Sequence, residues 1–188
     1  MGVIRTLKVS DKIPDVQFFV KNGAKFDSVN SIETFESKRV LVLGIPGAYW
    51  TDYPSSMISG YDYHFQRFQE LGIDEIFVTT TNDGYVLKSW FKDLGIKNLK
   101  ALPDGNGDWA KSVGFCIDMT ESGLGYRSHR YAMILEDCLL KKLFYEDLTH
   151  DPHTCFTETN AESVLTFIEE NQNTWYQFSN AGENHGRV

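Results

Sequence analysis

Short apolar runs alternate along the chain with stretches patterned at a helical period. Val16-Gln-Phe-Phe-Val20 has strand character, and Arg39-Val-Leu-Val-Leu-Gly-Ile45 is a continuous apolar run of the kind buried on both faces of a sheet. The second run therefore belongs at the sheet centre. Met57, Ile58, Tyr61, Phe65, Phe68 and Leu71 then recur at helical spacing, and Pro54, with Asp52 or Thr51 as a cap, marks the start of that helix. A β-branched run, Ile76-Phe-Val-Thr-Thr-Thr81, leads through Asn82-Asp-Gly84 into a helix carrying Val86, Leu87, Trp90 and Phe91. Strand, helix, strand, helix is the rhythm of a partly parallel sheet.

Farther on, Leu99 to Leu102 predicts a short strand, Pro103-Asp-Gly-Asn-Gly107 a turn, Trp109 to Val113 a short helix and Gly123-Leu-Gly125 a loose loop. Tyr131 to Leu135 and Leu139 to Tyr145 outline a hairpin around Glu136-Asp-Cys138, with Cys138 where such turns often carry Gly. Ala161 to Glu170 is a closing amphipathic helix, and residues 1–11 and 179–188 are expected as flexible ends. The fold class is α/β, a central mixed sheet flanked by helices. With 188 residues and 41% hydrophobic content, one core and one domain, 1–188, are expected.

Charge narrows the partners. A formal net charge of −8 gives no basic surface in aggregate, which argues against a nucleic-acid partner held through phosphates. No apolar stretch approaches the ~20 residues that span a bilayer, and the start of the chain lacks a signal-peptide core, so no membrane is expected. Met1-Gly2 with Thr6 meets the loose pattern for N-myristoylation, too short a pattern to carry weight. Cys116, Cys138 and Cys155 are odd in number and widely spaced, which fits neither a disulfide framework nor a zinc knuckle and points to a reducing compartment, the cytoplasm.

Five segments occur in a telling order: the central strand followed by Pro46-Gly-Ala-Tyr49, a helix reaching Ser59-Gly-Tyr61, Asn82-Asp83 after a strand, Leu102-Pro-Asp-Gly105, and Gly125-Tyr-Arg-Ser-His-Arg-Tyr-Ala-Met-Ile134. Together, from about Lys12 to Glu170, they resemble the peroxiredoxin type-five (redoxin) family, which implies a thioredoxin-like fold. In that family the loop after the central strand reads P-G-A-F-T-P-x-C-S, and its cysteine attacks hydroperoxides. Laid on without a gap, the family's threonine, proline and cysteine fall on Trp50, Thr51 and Tyr53. All three differ. The chemistry needs a thiolate, favoured by a helix N-terminus and a nearby guanidinium. A phenol of pKa about 10 stays protonated at neutral pH and has no route to a sulfenic acid. Arg130 falls on the family's active-site arginine. The resemblance thus implies a former peroxide pocket of Pro46, Tyr49, Trp50, Asp52, Tyr53 and Arg130, with an Asp52–Arg130 ion pair in place of the thiolate contact. The alternative is an Arg130 at a strand start facing solvent.

Other groupings have plainer readings. Cys155 falls near a resolving-cysteine position of some family members, but that role needs a peroxidatic partner, and an inert loop thiol is the simpler reading. His150, Asp151, His153 and Cys155 cluster as metal ligands without the separated pairs of a zinc site, so neither a metal nor another cofactor is expected. Cys138, at a hairpin tip, is expected to be exposed and oxidisable, with Asp137 raising its pKa. Cys116, in an apolar run, reads as a buried inert thiol. Asp104-Gly-Asn-Gly-Asp108 lacks the last ligand of a calcium loop and reads as a turn. Tyr49, Trp50, Tyr53, Tyr61 and Tyr63 form an aromatic set assigned to core or to a dimer interface, since the resemblance implies pairing through this end of the molecule.

Two functions are therefore expected to compete. One is a non-peroxidase binding or scaffold protein, as a homodimer, with a protein partner or small ligand at the former peroxide pocket. The other is a thiol-dependent hydroperoxide peroxidase working through Cys138 or Cys155. Beside the two stands a third, a holdase-like or purely structural role implied by the resemblance.

Overall fold

The computed structural model describes residues 6–50, 52–146 and 157–172, and at Asp52 and Tyr53 the backbone alone. Its centre is a five-stranded mixed sheet in the order β5-β4-β3-β8-β9. Here β3 is Arg39–Gly44, β4 Glu75–Thr80, β5 Lys100–Pro103, β8 Tyr131–Glu136 and β9 Leu139–Tyr145. The first three run parallel, and β8 and β9 are antiparallel to their neighbours. The alternation along β3 decides the layering. Leu41 and Leu43 face a core built with α2 (Asp52–Tyr63), α3 (Phe65–Glu70), α4 (Gly84–Leu94) and α6 (Ala161–Glu170). Val40 and Val42 face a second core with Phe18, Phe35 and Trp109. Both faces being covered explains why β3 reads as an unbroken apolar run. This is the thioredoxin-like arrangement expected from the sequence.

The second core is roofed by two elements that the sequence pattern predicts, a strand and a short helix, and by two that it does not reveal. The strand expected at Val16–Val20 is β1, Gln17–Asn22, and it pairs with β2, Lys25–Asn30, in a hairpin apart from the main sheet. Most of β2 is exposed, so it carries no apolar signature. Helix α1, Ser31–Phe35, follows at once, its N-terminus capped by Asn30 Oδ1 accepting from the amides of Ile32 and Glu33. Helix α5 is Asp108–Ser112, and Asp104 caps it by accepting from the amides of Trp109 and Ala110. The predicted loose loop at 123–125 is part of a second small hairpin, β6 Cys116–Met119 with β7 Gly125–Ser128.

The single helix expected over Met57 to Leu71 is two, interrupted at His64, whose ψ of 8° is not helical. Tyr61 and Phe68 still stack, with ring centroids 5.3 Å apart, so the apolar stripe crosses the break unaltered. The N-terminal segment is hydrogen-bonded from Leu7, whose amide donates to Val113 O. The tail 179–188 lies outside the described residues. Among the described residues no helix is long and apolar enough to cross a membrane.

Candidate functional site

The loop leaving β3 is positioned by strand register and by one side chain. Beyond Gly44, the Ile45 amide still donates to Thr79 O at 3.1 Å, keeping the chain alongside the last residues of β4. Asn82, at the corresponding place after β4, accepts from the Ala48 amide at 2.8 Å through Oδ1. Gly47 packs closely here: a Cβ on it would lie 3.3 Å from the Trp50 ring and 3.5 Å from both Arg127 Nη1 and Asn82 Oδ1. Trp50 is half-buried, and the Arg127 guanidinium lies 5.7 Å from its ring centroid. Arg127 is itself held by donating from Nε to Leu124 O at 2.8 Å. The loop is thus covered by indole and guanidinium in turn.

Tyr49 is turned elsewhere. Its backbone is in the left-handed region, φ +59°, a conformation a tyrosine adopts only when other contacts hold it. Its hydroxyl bonds to Asp93 and Ser89 on α4, and the Asp93 contact raises the phenol pKa. The ring is 54% exposed and leans on Trp90, 6.4 Å between centroids, so Tyr49 lies on the α4 surface and does not line a pocket with Trp50. The expected aromatic set is dispersed as well. Tyr61 is fully buried, donating to Thr159 O at 3.0 Å, whereas Tyr63 is 82% exposed at the far end of α2.

Arg130 does not face solvent: it is 9% exposed. It occupies the link between β7 and β8, and the pairing of Gly44 with Tyr131 sets it alongside the first residues of the loop. Both neighbours are fixed. The His129 amide donates to Phe115 O at 2.7 Å, and burial lowers the imidazole pKa, favouring the neutral ring. Tyr131 accepts from Trp109 Nε1 at 2.8 Å, and its ring lies flat across Gly44, where a Cβ would fall 2.1 Å from a ring carbon. Burial drives the Tyr131 phenol pKa well up, so it remains a neutral partner for the indole. The expected Asp52–Arg130 pair and the orientation of Tyr53 lie outside the described side chains; the backbone places both residues in the first turn of α2.

Cys138 requires a correction. It is 2% exposed, although it is at the hairpin turn with φ +64°. The tip is not a free end: Ile13 donates to Cys138 O, Asp137 accepts from the Ser37 amide, and the Cys138 thiol reaches Ile32 O at 3.5 Å. The N-terminal segment and α1 cover it. Burial first, and Asp137 second, raise its pKa, the opposite of what a reactive thiol needs. Cys116 is half-buried with a pKa also raised by burial. Cys155, with His150, Asp151 and His153, lies outside the described residues.

Three positioning residues escaped the sequence reading. Asn82 and Arg127 lie inside Asn82-Asp83 and Gly125–Ile134, segments whose pattern gives neither side chain a role. Glu146, the residue after β9, is a buried carboxylate accepting from the amides of Thr157, Glu158 and Thr159 and from Thr159 Oγ1. A lone Glu after a strand gives no sign that three amides will converge on it.

The likenesses to known proteins agree with this architecture. The redoxin family model matches residues 8–165. The hybrid peroxiredoxin hyPrx5 of Haemophilus influenzae is 31% identical over 157 residues, 84% of this chain, and the chain spans 64% of that protein's length. Peroxiredoxin-2C of Arabidopsis thaliana is 33% identical over 85% of this chain and 96% of its own. The structure of the Plasmodium falciparum antioxidant protein, a 1-Cys peroxiredoxin, superposes with a TM-score of 0.80 at 32% identity, covering 88% of this chain and all of that one. The chain belongs to the redoxin family, among the peroxiredoxins.

Proposed function

We propose that this protein is a peroxiredoxin relative without peroxidase activity, serving as a binding or scaffold protein at the loop that in its relatives handles peroxide. What carries the reading is the sequence around Tyr53: with Pro46-Gly-Ala-Tyr49 laid on the family's loop without a gap, a phenol falls where the family places its reactive sulfur, and Trp50 and Thr51 fall on the accompanying threonine and proline. Hydroperoxide reduction by a thiol peroxidase transfers an electron pair from sulfur and leaves a sulfenic acid, a step a phenol does not perform. The Trp50–Arg127 stack supports the same reading, since it covers the loop with side chains shaped for packing and for anion or aromatic contact. We further propose that two copies pair through this end, where Tyr49 is 54% exposed beside Trp90, and that the protein works in the cytoplasm with its thiols reduced.

The competing reading is a peroxidase built on another thiol. The burial and raised pKa of Cys138 weigh against it there, which leaves Cys155. Steady-state consumption of hydrogen peroxide and of an alkyl hydroperoxide, with a dithiol reductant, separates the two. The proposal expects a rate equal to the protein-free background. Turnover that disappears in Cys155→Ser overturns it.

A further inference from the structure

The face of the sheet beneath hairpin β1–β2 and helix α1 contains an open groove of about 470 Å³, within the ~300–1,000 Å³ range of small-molecule sites. Val20 and Val29 of the hairpin form one wall, and Phe77 of β4 and Leu102 of β5 the other. One end is charged. Glu75 is paired with Lys38, at 3.3 Å, and with Lys100, so two ammonium groups share one carboxylate and leave a single positive charge in excess. Lys100 Nζ also lies 5.9 Å from the centroid of the Phe77 ring, which ties the charged end to the apolar wall.

We propose that this groove binds a monocarboxylate with an unbranched apolar tail, the tail along Val20, Val29, Phe77 and Leu102 and the carboxylate between Lys38 and Lys100. Away from Glu75 and the two lysines the lining is Val20, Val29, Phe77, Ala101 and Leu102 with Thr34, whose hydroxyl proton is given to Asn30 O, so a polar body finds few partners there, and burying an unpaired polar group is costly. The charge excess fixes the sign of the head. An ammonium would meet the single excess positive charge, and a neutral head would leave that excess unanswered. Lys38 and Lys100 are 37% and 56% exposed, so the anion keeps part of its water while the tail is buried. The charged end lies at the start of β4 and β5, whereas the loop of Trp50 follows the end of β3, so this inference stands apart from the function proposed above.

Titration calorimetry of the full chain with octanoate, octan-1-ol and octylammonium tests it. Octanoate saturates at one per chain and octylammonium binds at least about tenfold more weakly. Lys100→Gln and Lys38→Gln each weaken octanoate by about threefold to tenfold, as expected for partly exposed ion pairs, with an unchanged thermal midpoint. Val20→Trp fills the groove and abolishes binding; should it fail to fold, the two lysine variants carry the test. Absence of saturable octanoate binding overturns the proposal. So does equal binding of the alcohol or the ammonium, which would make a neutral apolar segment of a partner the occupant, or indifference to both lysine substitutions.

Discussion

At the scale of single residues, the loop after β3 depends on close approach. Gly44 is required because the Tyr131 ring lies where its Cβ would be, and that ring is locked in turn by the Trp109 indole. Gly44→Ala is expected to cost about 3 kcal/mol, an overpacking penalty at its upper end, read as a lowered midpoint of chemical denaturation. A change within experimental error would mean that the ring can move aside. Tyr53→Cys tests a different property. Supplying the sulfur alone restores little peroxide consumption, because Trp50 and Thr51 also depart from the family's loop. Strong rescue would show that a competent pocket persists beneath the substitution. The burial of Arg130 was legible because an ordered motif fixes its position, whereas the role given to Tyr53 lies outside the described side chains. The roles of Asn82 and Arg127 were not legible, because each depends on a residue far away in sequence, Ala48 and Trp50, and no local pattern reports such a meeting.

Among the elements, legibility followed burial. The strands at the sheet centre and the long helices were readable from period alone, since a residue set buried on one or both faces must be apolar in register. Exposed β2 and the four-residue strands β6 and β7 have no such constraint. The Asn22-Gly23 dipeptide, with Gly23 at φ +58° in the turn, was the available sign of the first hairpin. The break between α2 and α3 was invisible because Tyr61 and Phe68 keep their common face across it. Another element-scale device is the Glu146 carboxylate, which joins the end of β9 to the residues leading into α6. Glu146→Gln leaves the charge-assisted bonds half made and turns an amide N–H toward amide donors. We expect a loss of about 2 kcal/mol in denaturant unfolding. An unperturbed variant would show that water replaces the side chain without cost.

For the molecule as a whole, two apolar layers on one sheet supply the stability, and a buried carboxylate makes it depend on pH. Asp104 is 4% exposed, and burial pushes its pKa up from 3.8 to about 6 against the pull of the Ala110 and Trp109 amides. The folded protein therefore holds this proton more tightly than the unfolded chain. The resulting stabilisation is full below the ordinary carboxylate value and is lost as pH rises through about 6, on the order of 3 kcal/mol across that window. Thermal unfolding followed against pH should show this decline, and Asp104→Asn should flatten it; an unchanged profile in the variant would assign the dependence to other groups.

The proposed function belongs to the same scale, since the peroxiredoxin frame is retained around a loop, residues 46–56, that contains neither cysteine nor methionine. The most direct check mixes fully reduced protein in excess with hydrogen peroxide, without any reductant, and follows peroxide loss together with the mass of each cysteine-containing peptide. The account predicts peroxide persisting at the rate seen with free thiol and no sulfenic acid formed ahead of that rate. Rapid loss of one peroxide per chain, with oxidation at a single cysteine, would contradict it.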